Sequence, residues 1–282
     1  MDNELNSLSY AQATSSSLSA HTLKRVANVL HQRSGIVLGD HKEDTIRRYL
    51  GAFAKDLDLD SIDAYLDYLQ RHPDSTEWSR FVNVFTINHT AFFREQHHFK
   101  VLAEYLPTRE KPIHMWSAAA STGEEAYSMA MVAYESMQQP QFGVRILASD
   151  IDTDAIKVAV KGVYRKERVD TLSIQRLRRF FQRGTGTNQG MVRVKDSLKQ
   201  LLDFQVINLI DATQWPEKNT MDVIFCRNTL IYFDRTTQIK LLERFAKVLK
   251  PGGLLFVGHS ENFSFMTSVL RLRGQTVYER PA

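Results

Sequence analysis

Ile113-His114-Met115-Trp116 runs into Ser117-Ala118-Ala119-Ala120-Ser121-Thr122-Gly123-Glu124-Glu125. A short apolar run, a turn of small residues and an acidic helix start predict strand, tight turn and helix, the helix extending from Glu124 to about Met137. The same grammar repeats downstream. Val144 to Ala148 reads as a strand and Thr153 to about Val160 as a helix. Met221 to Cys226 reads as a strand, and Thr236 to Leu249 as a helix stopped by Lys250-Pro251-Gly252-Gly253, with Leu254 to Gly258 a further strand. Strands alternating with helices predict a parallel, doubly wound, Rossmann-like α/β sheet, and such sheets bind ligands beyond the carboxyl ends of their strands.

Upstream the period changes. Leu23, Val26, Ala27 and Leu30 recur at helical spacing, as do Ile62, Tyr65, Leu66 and Leu69, with breaks at Gly35, Gly39-Asp40 and His72-Pro73-Asp74. The expected order is a disordered tail over residues 1–20, a small helical domain over 21–86 and the α/β domain over 87–282. Arg183-Gly184-Thr185-Gly186-Thr187-Asn188-Gln189-Gly190, between Phe180-Phe181 and Met191 to Val194, is a hairpin signal. It predicts a small antiparallel insert at about residues 165–202.

Composition excludes several classes. No apolar run reaches the roughly 18 residues of a membrane span, and the N-terminus lacks the basic and apolar regions of a secretory signal, so a cytoplasmic protein is expected. Cys226 is the single cysteine, which rules out an intramolecular disulfide and a multi-cysteine metal site. His97 and His98 offer ligands, but adjacent helix positions point apart and no third ligand is spaced to join them, so no metal is expected. With 36 Lys and Arg against 32 Asp and Glu, the net charge of +4 suits an acidic partner or an ordinary solvated surface. Nucleic-acid binding would need a denser basic stripe with interleaved aromatics.

Candidate site residues gather at the predicted strand ends. Small residues after Trp116 let backbone approach a ligand, and Asp150, ending the second strand, is placed either to accept ribose hydroxyls or to cap the helix from Thr153. The pattern indicates an adenosine cofactor without separating a nicotinamide from S-adenosylmethionine. His259 lies just past a strand end, where it either lines the pocket or makes a structural hydrogen bond. Cys226 reads as a small buried apolar residue. Tyr232, between Ile231 and Phe233, reads on pattern alone as core.

Trp116 to Ser128 (WSAAASTGEEAYS), Ala148 to Thr153 (ASDIDT), Ile224 to Asp234 (IFCRNTLIYFD), Gly258 to Ser264 (GHSENFS) and Asn88 to Glu95 (NHTAFFRE) together resemble the chemotaxis receptor methyltransferases, the CheR family. The resemblance runs from about residue 20 to the C-terminus. It implies an S-adenosylmethionine-dependent enzyme that esterifies receptor glutamates for sensory adaptation. It further implies cofactor contacts at Asn88, Thr90, Arg94, Glu125, Asp150, Asn208, Leu209, Cys226, Arg227 and Asn228, and catalytic roles for Arg94 and Tyr232 near the transferring methyl. Ala126 departs from the proline many members carry at the first helical turn, which affects no implied contact.

The same resemblance implies receptor recognition by a basic helix face with Lys42, Arg47, Arg48 and Lys55. It also implies tethering of a receptor C-terminal peptide at the hairpin, through Arg183, Gly184, Gly186, Gly190 and Arg193. A monomer is the plain expectation. Other readings are a methyltransferase of the same fold on another acidic substrate, and a non-catalytic module that binds S-adenosylmethionine or receptor tails. A nicotinamide dehydrogenase is disfavoured by the single glycine of the first turn.

Overall fold

Helical spacing and side-chain caps shape the first of two units, which divide at Phe85/Thr86 in the computed structural model. The structure describes residues 18–39, 42–263 and 269–281. In unit one, Ser19 accepts the Thr22 N–H and starts helix α1 (Ala20–Ser34), which stops at Gly35 in the left-handed region. Helix α2 (Glu43–Asp56) follows, then α3 (Ile62–Arg71), capped by Ser61 through the Ala64 N–H, and α4 (Glu77–Asn83). Val26, Leu30, Ile46, Leu50, Tyr65, Leu66, Leu69 and Phe81 are fully buried. Most of the expected tail, residues 1–17, lies outside the described residues; its last residue, Ala20, is already helical.

Unit two opens with helix α5 (Gln96–Tyr105), strand β1 (Ile113–Ser117), helix α6 (Glu124–Ser136), strand β2 (Val144–Asp150) and helix α7 (Thr153–Lys161). The insert contributes β3 (Val163–Arg165), α8 (Ile174–Phe180), β4 (Phe181–Arg183), β5 (Met191–Val194) and α9 (Asp196–Lys199). The main sheet then resumes with β6 (Leu202–Val206), β7 (Met221–Cys226), helix α10 (Arg235–Val248), β8 (Leu249–Val257), β9 (Arg271–Gly274) and β10 (Val277–Glu279). The seven-stranded order is β6-β2-β1-β7-β8-β10-β9, and the insert is a three-stranded sheet ordered β3-β5-β4. The first five main strands are parallel, while β10 runs antiparallel to both β8 and β9.

The strands bury both faces, so their period-2 alternation sorts residues between two cores rather than between core and water. Met115, Val223, Phe225 and Phe256 enter the core shared with α5 and α6. Trp116, Ile224, Cys226 and Leu255 enter the other, with Leu241 and Phe245 of α10. The Rossmann-like expectation holds, with two corrections. Strand β8 runs back through Lys250 to Gly253, the stretch expected to be a break, and its pairing with β7 is irregular between Met221 and Val223. The closing β9–β10 hairpin has no counterpart in the expected order.

Candidate functional site

Parallel strands bring the loops after β1, β2, β6, β7 and β8 to one edge, so residues far apart in the chain meet there. After β1 the backbone turns through Ser121 (φ 49°) and Gly123 (φ 98°) into α6. A Cβ at Gly123 would stand 2.8 Å from the Ala159 Cβ, so glycine lets this turn sit against α7. The Ser121 N–H donates to the Asp150 carboxylate at 2.8 Å, and the Asp152 N–H donates to its other oxygen at 3.0 Å. Burial pushes the Asp150 carboxyl up to about 6, and the N–H groups of Asp152 and Ser121 pull against it.

Asp152, not Asp150, caps α7, accepting from the Asp154 and Ala155 N–H groups. The capping alternative for Asp150 is thereby removed. The other Asp152 oxygen accepts from Thr86 and from the Asn88 amide, each at 2.6 Å. Asn88 Oδ1 in turn accepts the Ser121 hydroxyl at 2.9 Å. Both ends of the Asn88 side chain thus fasten the segment before Thr90 to the β1 and β2 loops.

A second group is organised by Arg227, whose side chain is 2% exposed. Its Nε donates to Glu125 Oε2 at 2.8 Å, and its Nη1 donates to the Arg94 carbonyl at 2.7 Å and lies 3.1 Å from His98 Nδ1. Glu125 Oε1 accepts the Ser117 hydroxyl at 2.7 Å. The Arg227 guanidinium is therefore engaged by protein, which leaves it no free donor fork for the expected cofactor contact. Arg94 is half-buried and donates to the His89 carbonyl at 2.8 Å; the carboxylates of Glu95 and Glu125 face Arg227 instead.

Glu95, His97 and His98 do converge, each with a ligand-type atom within 4.8 Å of the others, correcting the expectation that no third ligand joins the histidines. The cluster is already served by a cation. The Arg227 guanidinium lies 3.8 Å from Glu95 Oε2, and His98 Nε2 meets the Gln275 carbonyl and Thr276 hydroxyl. Burial, then the Arg227 charge, pushes His98 down to about 4 and leaves it neutral. Burial pushes the Glu95 carboxyl up, but Arg227, the His259 N–H, His98 and Asn228 together hold it below the usual range. A second positive charge there would meet like-charge repulsion in a buried setting.

The loop after β7 starts at Arg227, passes through Asn228 in the left-handed region (φ 56°) and makes a 3₁₀ turn, Leu230–Tyr232. Tyr232 is half-buried between exposed Ile231 and buried Phe233, so it is not the packed aromatic that its run suggests. Glu261, from the loop after β8, is 2% exposed and reaches across to this loop. Burial pushes its carboxyl up against the pull of four backbone N–H donors. The His259 N–H donates to Glu95 Oε1 at 3.3 Å. Asn208 follows β6 and closes a local turn, its N–H donating to Gln214 and its Oδ1 accepting from Ile210. Leu209 is buried, and so is Cys226, whose thiol burial pushes far up.

This edge suits an adenosylated cofactor. Asp150 ends a strand with an ionisable carboxylate beside a turn of alanines, and polar groups of three other loops converge on the same edge. The model described as CheR methyltransferase, SAM binding domain, matches residues 88–278, and the model described as CheR methyltransferase, all-alpha domain, matches 21–86. The chain belongs to the CheR methyltransferase family. Membership makes it an S-adenosylmethionine-dependent methyltransferase. Relatives include the chemotaxis protein methyltransferase of Salmonella typhimurium, 46% identical over 261 residues, covering 93% of this chain and 90% of the relative. The Escherichia coli protein of that name is 46% identical, covering 93% and 91%. Chemotaxis protein methyltransferase 2 of Pseudomonas aeruginosa is 44% identical over 258 residues, covering 90% and 91%.

The remaining expected residues fall on two other surfaces. On α2, Ile46, Leu50 and Ala54 are buried. Arg48 and Lys55, seven apart, share the opposite face, while Lys42 precedes the helix and lies off that face. Arg47 pairs with Glu43 at 2.8 Å and approaches Asp44 at 3.7 Å, and Arg48 lies over the Tyr49 ring. In the insert, β3 and β4 are the edge strands. A Cβ on Gly184 would stand 2.1 Å from the Asn188 carbonyl oxygen, while Gly186 and Gly190 are open and have positive φ. Gln182 opposes Arg193, so Arg183, its neighbour, points to the other face; Arg193 pairs with Asp196 at 3.1 Å.

Three residues carry this edge without having been expected. Asp152 had a readable signal, an acidic residue just before a helix start. Glu95 and Glu261 lie within the NHTAFFRE and GHSENFS stretches but had no local pattern that assigns a role, because most of their partners come from other loops.

Proposed function

We propose that this CheR methyltransferase transfers the methyl of S-adenosylmethionine to glutamate side-chain carboxylates of chemotaxis receptors, giving glutamyl methyl esters. The observation that carries this reading is the bracing of Arg94 and Tyr232 to one another's segments. Arg227 and Asn228 begin the Tyr232 loop, and they hold the Arg94 carbonyl and the Glu95 carboxylate. The cofactor, when bound, supplies an electrophilic sulfonium methyl.

A glutamate carboxylate, with a reference pKa of about 4.3, is already ionised at neutral pH and needs no general base. What the chain must do is orient it and exclude water. In this reading Asp150 accepts the ribose hydroxyls, Glu125 and Asn88 with Thr90 line the cofactor's polar end, and Asn208 with Leu209 flank the adenine. The backbone of Cys226 to Asn228 closes the site. The Arg94 fork fixes the plane of the substrate carboxylate, and the Tyr232 hydroxyl orients one of its oxygens. An oxygen of the glutamate then attacks the methyl carbon as the carbon–sulfur bond breaks, and no proton is transferred.

Arg48 and Lys55, flanked by Lys42 and Arg47, would meet the acidic helices of the receptor. The edge of the insert at Arg183, Gly184, Gly186, Gly190 and Arg193 would accept a receptor C-terminal peptide as an added strand, raising local concentration by linkage. The enzyme would act as a cytoplasmic monomer; no helix among the described residues is long and apolar enough to cross a membrane. The test is transfer of labelled methyl to a receptor cytoplasmic fragment that keeps its C-terminal peptide. Label released as methanol by mild alkali, and absent with Arg94→Ala, is the expected result. Alkali-stable label would move the acceptor away from a carboxylate.

A further inference from the structure

We infer that Glu261 is a positioning residue for methyl transfer, holding the loop that carries Asn228 and Tyr232 by serving as its shared backbone acceptor. Glu261 Oε2 accepts the Asn228 N–H at 2.9 Å and the Gly258 N–H, and Oε1 accepts the N–H groups of Thr229 at 3.0 Å and Ile231 at 3.2 Å. Three of these donors belong to the loop after β7, and the fourth to the loop after β8. Because β7 and β8 are parallel neighbours, both loops leave the same edge of the sheet.

The loop after β7 is anchored at its far end, where Leu230 and Phe233 are buried and the Gln238 amide donates to both of their carbonyls, while its near end relies on Glu261. Asn228 takes a left-handed conformation, which asparagine adopts more readily than most residues but which still bends the chain sharply as it leaves β7. The turn that follows is a single 3₁₀ turn of three residues, with weak hydrogen-bond geometry by nature. The loop's near-end backbone donors converge on the buried Glu261 carboxylate, and the Glu261 backbone N–H donates to the Gly258 carbonyl at 2.8 Å. The fit is close: a Cβ on Gly258 would stand 2.4 Å from Asn228 Nδ2 and 2.7 Å from its backbone nitrogen. Glu95 completes the brace from a third segment, accepting from Asn228 Nδ2 at 3.4 Å and from the His259 N–H. Glu261 therefore sets where Tyr232 stands relative to the segment of Arg94 without itself approaching the methyl.

This rests on the reading of Tyr232 as a substrate-orienting group, and a double-mutant cycle separates the two. Glu261→Gln keeps the volume but turns an amide NH₂ toward N–H donors that it cannot accept. Misplacement of about 1 Å in a positioned group costs on the order of 100-fold in rate, so E261Q is expected to lower kcat by about that factor. The S-adenosylmethionine dissociation constant should change less than about threefold, a split characteristic of an interaction made in the transition state. In a Tyr232→Phe background the further loss from E261Q should shrink to less than about threefold, since residues acting as a unit are non-additive.

Equal losses in both backgrounds would overturn the inference, as would a fall in kcat matched by loss of cofactor affinity. A Y232F enzyme running at full rate would instead remove the reading of Tyr232. Glu261→Ala with added acetate gives an independent arm, because acetate can occupy the vacated acceptor position. Recovery of kcat by about tenfold with acetate, and not with chloride, supports the assignment. Absence of recovery in the folded variant counts against it.

Discussion

Asp150 offers the sharpest test of the cofactor reading, through pH. Burial, helped by the neighbouring Asp152 charge, pushes its carboxyl up to about 6 against the pull of the Asp152, Ser121 and Ile151 N–H groups. Ribose hydroxyls donate to the ionised form, so cofactor affinity should follow the ionised fraction. With a pKa of about 6, the apparent dissociation constant rises about 1.1-fold at pH 7, about twofold at pH 6 and about 11-fold at pH 5. Asp150→Asn should bind about 10- to 100-fold more weakly at neutral pH, the loss of hydrogen bonds to a charged group, and its affinity should be flat from pH 5 to 7.

Stability runs the opposite way. Since the folded pKa exceeds the unfolded value of about 3.9, the ionised group opposes folding above pH 6, and that opposition fades as pH falls from about 6 towards 4. Relative to D150N, the apo wild-type chain should gain at most about 3 kcal/mol between pH 8 and pH 4, because the folded and unfolded values lie about two pH units apart and each is worth about 1.36 kcal/mol. Calorimetric titration with S-adenosylhomocysteine and urea unfolding, both at fixed ionic strength, read the two effects. A wild-type affinity independent of pH, or an equal slope in D150N, would refute the assignment of Asp150 to the ribose.

Arg227→Met leaves Glu125 and Glu95 buried without their cation and should cost about 3–5 kcal/mol of stability, seen as a lowered urea midpoint at pH 7. Arg48→Glu with Lys55→Glu should weaken receptor methylation at low salt while leaving cofactor affinity unchanged, with the difference shrinking at high salt; equal loss at all salt concentrations would point to misfolding of α2. Gly184→Val drives a side chain into the Asn188 carbonyl and should abolish retention on a receptor C-terminal peptide column, while methylation of receptor lacking that peptide persists.

The sheet was legible because its central strands are buried on both sides: β1 and β7 are mostly apolar, with His114 and Ser117 in the first and Asp222 in the second as the polar positions. β9 left no such trace. Arg271-Leu272-Arg273-Gly274 is exposed at every position and has no apolar alternation to mark an edge strand. Pro251-Gly252-Gly253 reads locally as a stop, yet β8 runs through it, the Gly252 N–H donating to the Arg280 carbonyl and the Arg280 N–H to the Gly253 carbonyl while the ladder with β7 is broken there. At the site, Asp150 was legible from its place after an apolar strand. The family resemblance placed Arg227 with the cofactor contacts as part of the Cys226-Arg227-Asn228 run. Its partner Glu125 is 102 residues away, a separation at which no local pattern reports a pairing. Glu261 is hidden for the same reason, as all but one of its donors come from a loop about 30 residues upstream.

The three-stranded insert has a consequence for how such chains can diverge. Tyr164, Phe180, Phe181, Val192 and Val194 belong to the same core as Phe92, Phe93 and the α6 methionines. Phe92 meets Tyr164 and Phe181 edge-on, with ring centroids 5.3 and 5.6 Å away, only two residues before Arg94. If the hairpin docks a receptor peptide as proposed, a lineage that lost that use could erode Arg183 in β4 and the turn that follows it. It could not excise the module, because excision would strip the apolar seat from under the segment that carries Arg94. Shedding a proposed docking role and shedding the strands would be separate evolutionary events, and only the first would be cheap.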